Sequence, residues 1–169
     1  MKRINTKTLM LMALFAAVSI ILTRFLVVYL NSSVRISFGN IPIILASLLL
    51  GPLAGGLTAA VADILGALLF SPLSWYPPLT ISPVIVGVLP ALLKPYTLKE
   101  ANFINIYLII LLTDLVAGIG LTTYLLSGLY GTGFLELLAV RAPLSLAVSI
   151  AEGIVVSILY KRLYNQIQH

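Results

Sequence analysis

The sequence has no cysteine and one histidine, and that histidine is His169, the last residue given. Disulfides and thiolate chemistry are therefore excluded, as are a histidine-based metal site and any Ser-His or Cys-His pair beyond what His169 could offer. Charge is scarce too. Asp, Glu, Lys and Arg make up 9% of the residues, where a water-soluble domain carries about 25%. No Gly-Lys-Ser/Thr phosphate loop is present, and no Asp pair or His-bearing motif suited to intramembrane proteolysis stands out. What the chain does have is apolar length: 60% hydrophobic residues and a mean hydropathy of +1.13. At roughly 20 apolar residues per crossing this allows about six helices with short loops. Nothing is left over for a soluble catalytic or nucleotide-binding domain. The reading is an all-α integral membrane protein with 1–169 as a single transmembrane domain, without metal, cofactor or enzyme activity.

Ten cations against five anions give a net charge of +5, and position assigns this excess to topology and not to nucleic acid. Lys2, Arg3 and Lys7 precede the first apolar run, Lys94 and Lys99 flank a break in mid-chain, and Lys161 and Arg162 follow the last run. Six helices are expected: Thr8 to Leu30, Ile41 to Leu50, Leu53 to Phe70, Ile81 to Leu93, Phe103 to Ser127 and Ala142 to Tyr164, with a short segment Phe134 to Val140 before the last. The first run lacks an obvious cleavage site and is too long for a signal-peptide core, so it reads as a retained helix. Gly51-Pro52 punctuates the second and third helices, and three prolines in Ser71 to Pro78 forbid a continuous helix there. Six crossings put both termini on one side, and the seven cations named above mark that side as cytoplasmic. The opposite face collects Asn31 to Asn40, Ser71 to Thr80 and Gly128 to Glu136. A ligand site opening outward would be built from those three segments.

Ionisable residues at membrane depth cost about 2.5 to 3.5 kcal/mol each on insertion scales and so point to function or to pairing. Those here are Arg24, Arg35, Asp63, Asp114, Glu136, Arg141 and Glu152. Arg24 either snorkels to headgroups or meets a ligand, and Asp114 and Glu152 face either a buried partner or a cavity. Arg35 and Arg141 lie in or beside outer segments otherwise poor in charge, and a guanidinium fork suits carboxylates. The alternative for each is an ion pair with Glu136 or Asp63. Phe38, Trp75, Tyr76, Tyr124 and Tyr130 are near them in the outer segments, as interface anchors or as walls of a small-molecule pocket. In the first helix Ala13, Ala16 and Ala17 form a small-residue stripe that permits another helix to approach, either within the bundle or from a partner.

Several ordered blocks carry a resemblance. Arg35-Ile36-Ser37-Phe38-Gly39-Asn40-Ile41-Pro42-Ile43, Leu50-Gly51-Pro52-Leu53-Ala54-Gly55 and Ala62-Asp63-Ile64-Leu65-Gly66 resemble the S components of energy-coupling factor (ECF) vitamin transporters, the folate group above all. Tyr76-Pro77-Pro78-Leu79-Thr80-Ile81-Ser82, Leu121-Thr122-Thr123-Tyr124-Leu125 and Leu137-Leu138-Ala139-Val140-Arg141 agree as well. Folate members usually read Pro-Gly-Phe-Thr where this chain has Pro77-Pro78-Leu79-Thr80, and the pantothenate group is similar in the Arg35 to Gly66 region.

The resemblance implies a subunit that binds a vitamin from outside, with high affinity, in a bacterial plasma membrane. It would deliver the vitamin by docking on a transmembrane coupling subunit of the EcfT type that carries two cytoplasmic ATPases of the EcfA type. Ala13, Ala16 and Ala17 would meet the coupling subunit. Phe38, Tyr76, Tyr124 and Tyr130 would wall the rings of folate. Asp63, Thr80, Ser82, Thr122 and Thr123 would supply polar groups, and Arg35 and Arg141 would take the glutamate carboxylates. A different vitamin, pantothenate first, is the alternative, and a structural or assembly protein without ligand is the further one.

Overall fold

The computed structural model describes residues 5–31, 34–70, 76–97 and 102–167, and the side chains of these apart from 28–36 and 164–167. Helix α1, Thr6–Arg24, begins where the Asn5 side chain accepts a hydrogen bond from the Thr6 amide at 2.8 Å, and it ends with Arg24 in the last turn, where a cation complements the helix dipole. The first helix was expected to continue to Leu30. Instead the chain forms a hairpin, β1 (Val28–Asn31) and β2 (Val34–Ile36), with Val28 opposite Ile36 and Tyr29 opposite Arg35. The residues explain the change. Val27-Val28-Tyr29 and Val34-Arg35-Ile36 are rich in β-branched and aromatic strand formers.

Helix α2, Asn40–Leu50, is buried at every position from Ile41 to Leu48. An all-round apolar helix belongs in the middle of a bundle. At 11 residues it extends about 16 Å and falls short of a bilayer core of about 30 Å, so its ends must be satisfied by protein. At the start, Ser19 of α1 donates to the Gly39 carbonyl at 2.8 Å. At the finish, the Lys94 ammonium donates to the Leu48 carbonyl at 2.8 Å and lies 5.7 Å from the centre of the Tyr160 ring. Gly51, at φ 102°, then turns the chain into α3, Pro52–Phe70.

A short 3-10 turn, Pro77–Thr80, leads into α4, Ile81–Thr97, which contains Pro90 and Pro95. The Ala91 amide next to Pro90 donates to the Ser47 hydroxyl of α2 at 3.1 Å, so a polar group beside the proline finds its partner across the bundle. Helix α5 (Phe103–Thr113), a π-helical segment (Asp114–Leu121) and α6 (Thr122–Tyr130) form one unbroken span, Phe103–Tyr130. Helix α7 runs from Phe134 to Ile167 through Pro143. The short segment and the last helix expected from the sequence are thus one element, and the break between spans is confined to Gly131-Thr132-Gly133, with Gly131 at φ 66°.

Five of these helical spans are long and apolar enough to cross a membrane, and α2 is the sixth, shorter apolar helix. Among the described residues there are therefore six apolar helical spans, with the hairpin added to them. The outer surface is itself apolar: Leu9, Leu14, Ile21, Leu68, Leu108 and Ile154 are all exposed, as lipid-facing side chains are. The core is built around α2, with Ile44, Leu48, Ile106, Ile109, Ile110 and Val156 at its centre.

Candidate functional site

Chain direction brings the candidate segments to one end of the bundle. Helix α1 finishes where the hairpin starts, α3 finishes where the path to the 3-10 turn starts, and α6 finishes where α7 starts. The hairpin, the 3-10 turn and the turn at Gly131 therefore share an end, and β2 packs against α7 there.

Beneath this end lie six of the seven polar residues singled out in the sequence, as three linked pairs. Thr80 Oγ1 donates to Asp63 Oδ2 at 2.7 Å, which joins the 3-10 turn to α3. Two residues on, Ser82 Oγ is 2.6 Å from Thr122 Oγ1, and each hydroxyl also reaches the Ala117 carbonyl, at 2.8 and 2.7 Å. Two hydroxyl protons serve these three contacts, so lone pairs are left over to accept from a ligand. Thr123, fully buried, accepts from Arg141 Nε at 3.2 Å, which joins α6 to α7. The run Asp63, Thr80, Ser82, Thr122, Thr123, Arg141 crosses four helical spans with a carboxylate at one end and a guanidinium at the other. It can accept from the N–H edge of a heterocycle and donate to a carboxylate.

Arg35 is in β2, opposite Tyr29, and only its backbone is described. Tyr76 precedes the 3-10 turn, while Phe38 leads into α2 and Tyr130 closes α6; each is close to 40% exposed. Tyr124 is 68% exposed, on the outward side of α6. Trp75 lies outside the described residues, as do Lys2, Arg3, Lys99 and Glu100. In the alanine stripe Ala13 and Ala17 are exposed on α1 and Ala16 turns inward, buried, because adjacent helical residues point about 100° apart.

Two contributors were not singled out from the sequence. The Ala117 carbonyl accepts the Thr122 amide in the π-helical pattern and is also reached by the Ser82 and Thr122 hydroxyls, and Ser19 fixes the exit of the hairpin through Gly39. The pair Gly118 and Gly120 following Asp114 in mid-span was the available signal for the first. A shallow apolar hollow between α3 and α4, lined by Leu53, Gly56, Leu57, Ala60, Val84 and Val88, lies toward the other end and is separate from the polar run.

A family profile described as ECF-type riboflavin transporter, S component, matches residues 3–168. The folate transporter FolT of Clostridium novyi (strain NT) is 33% identical over 89 residues, which are 53% of this chain and 50% of that protein. The match thus spans about half the length of that relative. Among solved structures, FolT bound with folic acid is similar with a TM-score of 0.76 and 28% identity, over 94% of this chain and 95% of that one. The S component of a bacterial ECF transporter shares the fold with a TM-score of 0.70 and 23% identity, over 96% and 98% of the two chains.

Proposed function

The chain belongs to the family of ECF-type riboflavin transporter S components, and we propose that it works as such a component at the outer face of a bacterial plasma membrane, captures folate there and hands it to partner subunits that hydrolyse ATP. The observation that carries folate is the polar run itself, with Asp63 at one end and Arg141 at the other. Asp63, held by Thr80, accepts from the amino and ring N–H groups of the pterin. Ser82 and Thr122 serve the polar atoms between, and Arg141, braced on Thr123, takes a glutamate carboxylate. Arg35 takes the second carboxylate from the hairpin, and Phe38, Tyr76 and Tyr130 supply ring surface, whereas Tyr124, turned outward on α6, drops out of the expected wall. The similarity to FolT supports this assignment.

Lys7, Lys94, Lys161 and Arg162 are at the end opposite the polar run, which supports a cytoplasmic position for both termini and an outward opening for the site. A nanomolar dissociation constant, about −12 kcal/mol, suits scavenging of a dilute vitamin.

Riboflavin is the second reading, favoured by the name of the matching family. It has no carboxylate, and this separates the two. Titration calorimetry of the purified chain against folate, riboflavin and pantothenate identifies the ligand. For folate, Arg141→Ala weakens binding about tenfold to a hundredfold, the loss of one charged hydrogen bond of about 1.5 to 3 kcal/mol, and leaves 6-hydroxymethylpterin, which has no carboxylate, nearly unaffected. Equal losses for folate and 6-hydroxymethylpterin would remove Arg141 from the carboxylate role.

A further inference from the structure

Two carboxylic acids lie inside the bundle and take no part in the polar run. Asp114 opens the π-helical segment, and Glu152 is midway along α7. Both are buried, Glu152 at 1% exposure, and neither oxygen of Glu152 has a hydrogen-bond partner among the described residues. The π-helical segment that opens with Asp114 packs directly on α7, the helix that carries Glu152. Next to Glu152, α7 presses on α5: a Cβ added to Gly153 would come within 2.8 Å of the Tyr107 ring.

The surroundings offer Glu152 little compensating charge. Of the elements packed on α7, α5 brings Tyr107, the π-helical segment brings Asp114, α2 brings no ionisable residue, α6 brings Tyr124 and Tyr130, and β2 brings Arg35 from the end of the bundle. Along α7 itself, Arg141 and Lys161 stand about 16 Å and about 13 Å away by helical rise. Arg141 donates to Thr123, and Lys94 donates to the Leu48 carbonyl beside Tyr160. Two carboxylates ionised together in a low-dielectric interior would repel, so such a pair is stable only when protonated or neutralised by a bound cation. Thr113 precedes Asp114 and Ser149 is one turn before Glu152, and both are fully buried. Each spends its proton on a carbonyl of its own helix, Ile109 at 2.7 Å and Leu146 at 2.9 Å, and keeps its lone pairs.

We propose that Asp114 and Glu152 form an intramembrane site for one monovalent cation, a proton or a sodium ion. The site is separate from the vitamin site and does not depend on which vitamin binds.

The test is thermal unfolding of the full chain in lipid nanodiscs. In the first arm sodium replaces choline at constant ionic strength and pH. If sodium is the cation, wild-type Tm rises by about 3 °C at a tenfold excess over the dissociation constant, and Glu152→Gln removes the rise. In the second arm, without sodium, pH is lowered from about 8 to about 5.5. If a proton is the cation, the folded chain holds a proton that the unfolded chain releases, so wild-type Tm rises as pH falls and Glu152→Gln flattens the slope. Should Glu152→Gln fail to fold, Asp114→Asn carries the same comparison. A variant that follows the wild type in both arms overturns the proposal, and so does a wild-type Tm indifferent to sodium and pH, for which no variant is needed.

Discussion

Gly55 and Gly87 show how single residues set the spacing of the bundle. A Cβ on Gly55 would run into the Gly87 carbonyl and come within 2.7 Å of the Ser47 Cα, and a Cβ on Gly87 would meet the backbone of Gly55 in turn. Helices α2, α3 and α4 thus touch through backbone, as small residues allow when lipid provides no hydrophobic drive between helices. We expect Gly87→Ala to destabilise the chain by about 1 to 3 kcal/mol, read as a fall in Tm. Gly128→Ala, with nothing within 4 Å of its Cβ, should leave Tm level or slightly higher, and equal behaviour of the two would refute backbone contact as the cause. The residue scale was also the most legible in the sequence. Asp63 and Arg141 stand out as charge in an apolar chain, and Thr80, Ser82, Thr122 and Thr123 fall in blocks beside proline or aromatic residues. The Ala117 carbonyl is marked only indirectly, by Gly118 and Gly120 beside it, because a backbone acceptor leaves no mark of its own in residue type.

Among the elements, the π-helical segment positions the polar run. It lies between α5, whose Ile106, Ile109 and Ile110 are fixed in the core, and α6, whose Thr122 and Thr123 must face Ser82 and Arg141. A π-helical stretch holds more residues per turn than an α-helix, so it can give one up by reverting to α geometry while the flanking faces stay aligned. It has no such outlet for an added residue, which turns everything beyond it by about 100°. Deleting Gly118 should therefore leave folding intact and reduce folate binding modestly, through the Ala117 carbonyl. Inserting one alanine after Gly118 should abolish binding, since Thr122 and Thr123 swing away from their partners. Calorimetry alongside Tm separates these outcomes, and equal damage from both changes would show that register is not what the segment controls. Hydropathy could not reveal this element, since an α-helix and a π-helix of the same composition bury the same surface. It misjudged α1 and α7 for a related reason: Val27 to Leu30 is as apolar in a strand as in a helix, and Phe134 to Val140 is set apart from Ala142 to Tyr164 although α7 runs on through Arg141.

At the scale of the whole molecule, one end carries the polar run and the other carries Lys7, Lys94, Lys161 and Arg162, with apolar walls between. No Gly-Lys-Ser/Thr phosphate loop accompanies them, so on the proposed function the driving force reaches this chain through a surface that meets a partner. The exposed face of α1 suits that contact. Ala13 and Ala17 make a notch between the exposed side chains of Met10, Leu14, Val18 and Ile21, and a partner helix can approach a notch more closely than a uniform leucine wall. Ala13 points away from the core, so a bulky residue there leaves packing within the bundle untouched and blocks only what comes from outside. Ala13→Trp should accordingly abolish vitamin uptake by the assembled transporter in membrane vesicles, while the isolated chain binds folate with unchanged affinity. Ile154→Trp, at an exposed position on α7, should leave both uptake and binding intact. Loss of binding in the Ala13 variant would signal misfolding, and loss of uptake in both variants would mean that bulk anywhere on the lipid-facing surface is harmful and that α1 has no special part in docking.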